Sequence, residues 1–363
     1  MRAEAVEAML PYLRDRFGNP SGSHAVAREA KKALEEAREV VAACLGARPG
    51  QVVFTGSGTE ADNLAVTGHH AARPGRVVCT AVEHHAVLHP VQELGGTVVP
   101  VTPDGVVDLD ALAAALDATV SVVAVMLANN EVGTIQPLDR VAAVVRERAP
   151  QAALVTDAVQ AFPWLDVAAL AAPADLVAVS AHKFGGPKGV GALVVRDRVG
   201  IRPIIHGGGQ ERDRRSGTSN VAGVVGMAAA MQVTVAEREA MVARVGALRD
   251  RLADGLVAAV PGAAETGDRA VKIAGNCHLT IPGIESEALL VLLDAGGVYA
   301  AAGSACSTGA VEPSHVLAAM GVPRERALGS LRLSLGPATT AADVDLALDA
   351  VPAAVERLRA TAG

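Results

Sequence analysis

Aromatic side chains are nearly absent from this chain, with four Phe, two Tyr and one Trp in 363 residues. A surface that stacks single-stranded bases on aromatic rings is thereby disfavoured. A basic excess is lacking too. The formal net charge is −7 at pH 7, whereas a phosphate-tracking surface needs clustered Lys and Arg. The four cysteines, Cys44, Cys79, Cys277 and Cys306, contain no CxxC pair. Neither a zinc ribbon nor a thioredoxin-like site is indicated, and free thiols in a reducing cytoplasm are the simpler expectation. No uninterrupted apolar run reaches membrane-spanning length. The opening "MRAEAVEAML" carries acids where a secretion signal would have a long apolar core. Nucleic acid and membrane are therefore not expected partners, and the core must be built from Ala, Val and Leu.

What is present is alternation. "HAVAREAKKALEEAREVVAACLG" has helical spacing and ends at Gly46, a natural C-cap. The runs "QVVFT", "RVVCT", "TVVPV", "VSVVAVML", "ALVTD", "DLVAVS" and "GALVVR" read as strands. Helices are expected between them at 59–71, 86–94, 108–116 and 138–148. Val-rich strands alternating with helices predict an α/β fold around a largely parallel sheet, covered on both faces. Beyond "HGGGQERDRRSGTSN" the texture changes to a long helical stretch over about 220–258, and a domain boundary is placed at 238. The expected domains are 1–238 and a smaller 239–363.

Lysine is scarce, and Lys183 stands out among the five because it directly follows a buried strand in "DLVAVSAHKFGGPKG". A lysine desolvated there serves as an amine nucleophile; an ordinary surface lysine is the alternative. Asp157 ends "ALVTD", with Gln160 three residues on. In a parallel sheet ligands gather beyond the carboxyl ends of strands. An aspartate there can hold a protonated ring nitrogen, or merely cap a helix. "FTGSGTEADN" joins a strand to a helix at Gly58 and Thr59, a turn suited to phosphate or to a plain Thr59 N-cap. "AVEHHAVLHP" holds His84, His85 and His89. A metal set is weakly supported without acidic or thiol partners at ligand spacing, and His84 can instead lie flat on a planar cofactor and move protons. Asn130, in "LANNEVG", is read as ending a strand, where it binds a cofactor oxygen or a carboxylate or forms a turn. Arg332, inside the strand-like "SLRLSLG", suits a bidentate carboxylate or an internal salt bridge. An amine, an acid for a ring nitrogen, a phosphate turn and a flat ring suit pyridoxal phosphate (PLP) better than hydride or phosphoryl transfer.

Several stretches carry a closer likeness: "FTGSGTEADNLA", "VEHHAVL", "NNEVGTIQP", "TDAVQ", "SAHKFGGPKGVGAL", "HGGGQERDRRSGT" and "GSACSTGAVEPSHVL". With these the chain resembles a cysteine desulfurase of the branch serving nitrogenase and iron–sulfur assembly, in the class V aminotransferase group of PLP fold-type I enzymes. The likeness covers nearly the whole chain. It implies fold type I, with a mostly parallel seven-stranded sheet in the large domain and a smaller C-terminal α/β domain. It implies that Lys183 holds PLP covalently, Asp157 the pyridinium nitrogen and Gln160 the ring hydroxyl, with His84 stacked on the ring. Gly58, Thr59, Ser180 and His182 would hold the phosphate, with Thr218 contributed by a second subunit of a homodimer. Asn130 and Arg332 would hold the carboxylate of L-cysteine. Cys306 would capture the sulfur as a persulfide, leaving L-alanine, and pass it to a sulfur-acceptor protein such as an iron–sulfur scaffold. No resident metal is implied, although Cys306 could transiently ligate a cluster in such a complex. Small residues around Cys306, with Gly303 and Gly309, would let it swing between cofactor and acceptor.

Two departures from the family pattern stand out. The chain starts at "MRAEAVEAMLPYL", without the strand that usually precedes this point, and it stops at "RLRATAG", without the usual scaffold-docking tail. The alternatives are a selenocysteine lyase or aminotransferase of the same group, and a PLP-binding scaffold whose turnover is impaired by the missing strand. A cytoplasmic location is expected.

Overall fold

The Val-rich runs of the first half form strands because β-branched residues pack well on a pleated surface buried on both sides. In the computed structural model, which describes residues 1–303 and 313–362, these runs are β1 (Val52–Thr55), β2 (Arg76–Thr80), β3 (Thr97–Val99), β4 (Val120–Ala124), β5 (Ala153–Asp157), β6 (Leu176–Ser180) and β7 (Gly191–Val195). They form one seven-stranded sheet in the order β1-β7-β6-β5-β4-β2-β3. The pairs from β6 through β3 are parallel, while β7 runs antiparallel to both β1 and β6. Since β7 opposes both neighbours, β1 points the same way as β6. The carboxyl ends of β1, β2, β4, β5 and β6 therefore all emerge at one edge of the sheet.

The helices Ala25–Cys44, His85–Glu93 and Leu138–Arg148 fall where helical spacing places them. Gly46, at φ 59°, follows the first of these in the left-handed conformation that glycine adopts without strain. The stretch 58–72 is helical throughout but widens to π geometry at Leu64–Gly68 between α-helical Gly58–Asn63 and His69–Ala72. Its apolar side packs with Val77, Cys79, Val122, Val155 and Leu193 into the main core.

The chain divides into two compact units: 1–99, 109–127 and 137–238 make the first, and 100–108, 128–136 and 239–363 the second. The long helix Val221–Ala259 runs through the division at 238/239. The second unit holds an antiparallel sheet of β8 (Ala264–Glu265), β9 (Asn276–Thr280) and β10 (Ser330–Ser334), ordered β10-β9-β8. The helices Ser286–Ala295 and Ala341–Ala362 also belong to it.

Candidate active site

Along the shared sheet edge the carboxyl ends of β1, β2, β5 and β6 deliver polar residues. β5 ends in Asp157, which is 6% exposed. β6 ends in buried Ser180, and the chain then makes a 3-10 turn, Ala181–Phe184, that carries His182 and Lys183. Gly185, at φ 84°, closes that turn. After β2, Glu83 is buried and His84 caps the helix His85–Glu93. After β1, the chain turns through Gly56 and Ser57 into the helix starting at Gly58.

The N-cap of that helix is Ser57, whose Oγ accepts from the Glu60 N–H at 3.1 Å. Thr59 is not the cap; it is the second residue of the helix and is exposed. Gly58 packs so closely that a Cβ there would lie 2.8 Å from Val159 Cγ2 and 3.1 Å from Ser180 Cβ. The missing Cβ thus lets the start of this helix pack directly against the end of β6, which brings helix-start N–H groups, a phosphate-binding feature, to the same sheet edge. Ser180 Oγ and His182 Nδ1 are hydrogen-bonded at 2.9 Å. Burial, then the charges of Lys183 and Lys188, lower the His182 pKa.

Lys183 is exposed, not desolvated, because the 3-10 turn carries it beyond the sheet edge. The Asp157 carboxyl is the buried partner. Burial pushes its pKa up to about 6, against the opposing effects of the Val159 N–H bond and the Lys183 charge. Asp157 Oδ1 accepts from Val159 N at 2.8 Å. This bond within the turn is the only part of the helix-capping alternative that is realised. Gln160 is half-buried in the same turn. His84 is exposed, and its Nδ1 accepts from Ala86 N at 3.1 Å. That bond uses the Nδ1 lone pair, so the neutral ring carries its proton on Nε2. His85 and His89 stack with centroids 4.6 Å apart. Among the described residues no group of three or more His, Cys, Asp or Glu could hold a metal ion.

Two buried acids escape a reading of motifs alone. Glu83 Oε1 accepts from Thr80 Oγ1 at 2.6 Å and from Met126 N at 2.8 Å. Burial, with the charge of Asp157 adding to it, pushes the Glu83 pKa up to about 8. Asp62, 1% exposed, is raised well above the carboxylate range by burial and by the charges of Asp157 and Glu83. The sequence signal was an acid directly beside each motif, in "EADN" and "VEHH".

Thr218 is exposed and lines a cavity of about 110 Å³ together with Thr55, Gly56, Gly189, Arg215 and Asn220. Arg215 Nε donates to Glu60 Oε1 at 2.7 Å, and Glu60 Oε2 accepts from Gly56 N at 2.7 Å. The "RSGT" segment is thereby tied to the phosphate-type turn of its own chain.

Asn130 and Arg332 belong to the second unit. Asn130 does not end a strand: β4 stops at Ala124, and Ala128 instead bridges Ile135. The turn is made by Asn129, whose Oδ1 accepts from Glu131 N and Val132 N at 2.8 and 2.9 Å. Arg332 Nη1 donates to Asn130 O at 3.1 Å and to Gly303 O at 3.3 Å. Its Nε is buried and without a partner among the described residues, and no described carboxylate forms an ion pair with it. Burial lowers the Arg332 pKa, and the nearby Glu131 charge opposes this. Cys306 lies outside the described residues.

PLP requires an anion for its ring nitrogen, an amine for its aldehyde and a phosphate cradle. Asp157, Lys183 and the helix start at Gly58 beside Ser180 meet these needs at one sheet edge, so the residues present fit the group. The pattern of the family described as Aminotransferase class-V matches residues 1–347. The chain belongs to that family, whose members are PLP-dependent. It is 47% identical to an IscS-like cysteine desulfurase of Mycobacterium tuberculosis, over 100% of this chain and 95% of the relative. A solved structure named NifS-like protein superimposes with a TM-score of 0.91 at 36% identity, covering 99% of this chain and 97% of that one. Another, described as SspA in complex with cysteine, gives a TM-score of 0.79 at 28% identity, covering 94% and 97%. Within the family, the chain thus stands with the IscS/NifS-like cysteine desulfurases.

Proposed function

We propose that this protein converts L-cysteine to L-alanine and captures the sulfur as a persulfide on Cys306 for delivery to an acceptor protein. The observation that carries the reading is the convergence of Lys183, Asp157, His84, Ser180 and Gly58 on one sheet edge, in a chain whose relatives bear the name cysteine desulfurase. When bound, PLP supplies an electron sink that acidifies the substrate Cα–H and makes the Cβ–S bond labile. Lys183 Nζ holds the cofactor's aldehyde and then takes the Cα proton. The Asp157 carboxylate keeps a proton on the ring nitrogen. His84 covers the ring and presents its Nε2 proton. Gly58, Thr59, Ser180 and His182 hold the phosphate, joined by Thr218 of a second copy in a homodimer, and Gln160 bonds the ring hydroxyl. Asn130 and Arg332 hold the substrate carboxylate.

The thiolate, not the thiol, attacks sulfur. Burial raises the pKa of each described cysteine, Cys44, Cys79 and Cys277, so none of them offers a ready thiolate. Cys306, the residue that the family resemblance names as acceptor, is the remaining cysteine. On this reading, 1–238 binds PLP and 239–363 carries Cys306. The location proposed is the cytoplasm, with an iron–sulfur scaffold or sulfur carrier as recipient. No helix among the described residues is long and apolar enough to cross a membrane.

The test pairs two variants. Lys183→Ala should abolish the visible-edge absorbance of bound PLP. Cys306→Ala should keep that absorbance and lose persulfide formation. If Cys306→Ala released alanine and sulfide at the wild-type rate, the assignment of the sulfur acceptor would be wrong.

A further inference from the structure

The helix His85–Glu93 contains Pro90. Proline has no N–H, so the carbonyl four residues earlier loses its helical donor. That carbonyl belongs to Ala86, which is buried, and leaving it unpaired would cost about 1–3 kcal/mol. The missing donor comes from another helix: Asn63 Nδ2 donates to Ala86 O at 3.1 Å. The same nitrogen donates to Thr59 O at 2.9 Å. One side-chain amide thus joins the helix that starts at Gly58 to the first turn after His84.

Both ends of this link face residues assigned to the cofactor. Thr59 stands in the phosphate-type turn. On the other side, the N–H of Ala86 donates to His84 Nδ1, so the residue whose carbonyl Asn63 holds also sets the ring orientation of His84. Asn63 is itself held in place. The helix widens to π geometry directly after it, and Thr67 Oγ1 donates to Asn63 O at 2.6 Å.

We propose that Asn63 is a positioning residue that fixes His84 relative to the Thr59 turn, by supplying the hydrogen bond that Pro90 denies to Ala86. The proposal rests on the PLP reading for its functional consequence, but the hydrogen-bond exchange itself does not. Pro90 and Asn63 act as a matched pair: the first creates an unpaired carbonyl beside His84, and the second uses it to bind two segments that helical bonding alone would leave independent.

The test is a double-mutant cycle on the full-length protein with Asn63→Ala, Pro90→Ala and the pair. Two readouts are followed: thermal stability of the apoprotein, and PLP binding by absorbance titration together with visible circular dichroism. Pro90→Ala returns an N–H to Ala86 O, so the stability lost on Asn63→Ala should shrink markedly in that background. In the Pro90 background, Asn63→Ala should weaken PLP about fivefold to tenfold, the effect of losing one good hydrogen bond, and change the visible circular dichroism of bound PLP. Asn63→Asp, which keeps the shape but not the donor, should behave like Asn63→Ala. An additive stability cycle overturns the pairing with Pro90. Unchanged PLP affinity and dichroism in both Asn63 variants overturn the positioning role. Failure of the PLP reading itself shows elsewhere, as a Lys183→Ala protein that keeps the visible-edge absorbance.

Discussion

Glu83 precedes His84 in sequence and is buried, while His84 is exposed. Adjacent residues thus have opposite environments, and each environment sets the chemistry. A carboxyl whose pKa is higher folded than unfolded binds its proton more tightly in the native state. Stability then falls as pH rises between the two values. For Glu83 that window runs from 4.5 to about 8, with burial as the main cause. Glu83→Gln can keep the acceptor oxygen that serves Thr80 and Met126 while removing the charge. The melting temperature of the apoprotein variant should therefore exceed that of wild type by a margin that grows with pH across this window. A margin independent of pH would show that Glu83 is not a buried titrating acid. At this scale, chemical type was legible and depth was not. Lys183 and Asp157 were found as an amine and an acid at strand ends, but which of the two would be buried depends on a 3-10 turn of four residues. Cys306 stood out by its setting among small residues.

Among the elements, the strands were the most legible because Val-rich runs bounded by Gly, Pro and Asp have few other solutions. The misplaced end of β4 has a specific cause. "VSVVAVML" reads as one strand, and the regular strand ends at Ala124 because Met126 N donates to the Glu83 side chain, although Val125 N and Leu127 N still donate to Val155 O and Asp157 O of the β5 segment at 3.0 and 2.9 Å. The interrupting side chain lies 43 residues earlier in the chain, so no local pattern reports it. The segment after β7 hides a second such device. Glu211, Arg212 and Asp213 adopt φ of 51°, 58° and 63° in succession, a left-handed run that non-glycine residues rarely make. Glu211 holds it in place by accepting from Arg38 Nη1 and Nη2 at 2.6 and 2.9 Å and from Phe54 N at 2.9 Å. Arg38 is 3% exposed, so Arg38→Met strands a carboxylate against β1. The expected loss is about 3–5 kcal/mol in urea unfolding, with a large part regained in Arg38→Met/Glu211→Gln. A loss below about 1 kcal/mol, the usual worth of an exposed pair, would mean that the pair does not hold the segment.

At the scale of the molecule, the alternation of strands and helices made the α/β class legible, but the short excursions 100–108 and 128–136 gave no signal. The two excursions bond to each other, Val107 N to Gln136 Oε1 at 2.9 Å and Thr134 Oγ1 to Asp104 O at 2.8 Å, and 128–136 bonds further to residues far along the chain. Within the second unit, Asn276 Nδ2 donates to Glu131 O at 2.8 Å, Ile273 N to Gly133 O at 3.0 Å, and Ile135 N to Val271 O at 2.8 Å. Ser314 also donates to Glu131, which is 2% exposed. A fragment comprising 239–363 alone lacks all of these partners. Expressed by itself, it should show no cooperative thermal transition and poor dispersion of its amide proton resonances. A sharp melt would show that 128–136 is dispensable to the unit.

The same excursions put a delay into the protein's synthesis. Glu131 leaves the ribosome 145 residues before Asn276. At about 5–20 residues per second, its backbone carbonyl waits roughly 7–30 s for that partner, and its carboxylate, whose partner Ser314 lies 183 residues on, waits roughly 9–37 s. Over that interval the nascent chain offers chaperones and proteases an unfinished half of its second unit, however quickly the Val-rich sheet of the first unit forms around it.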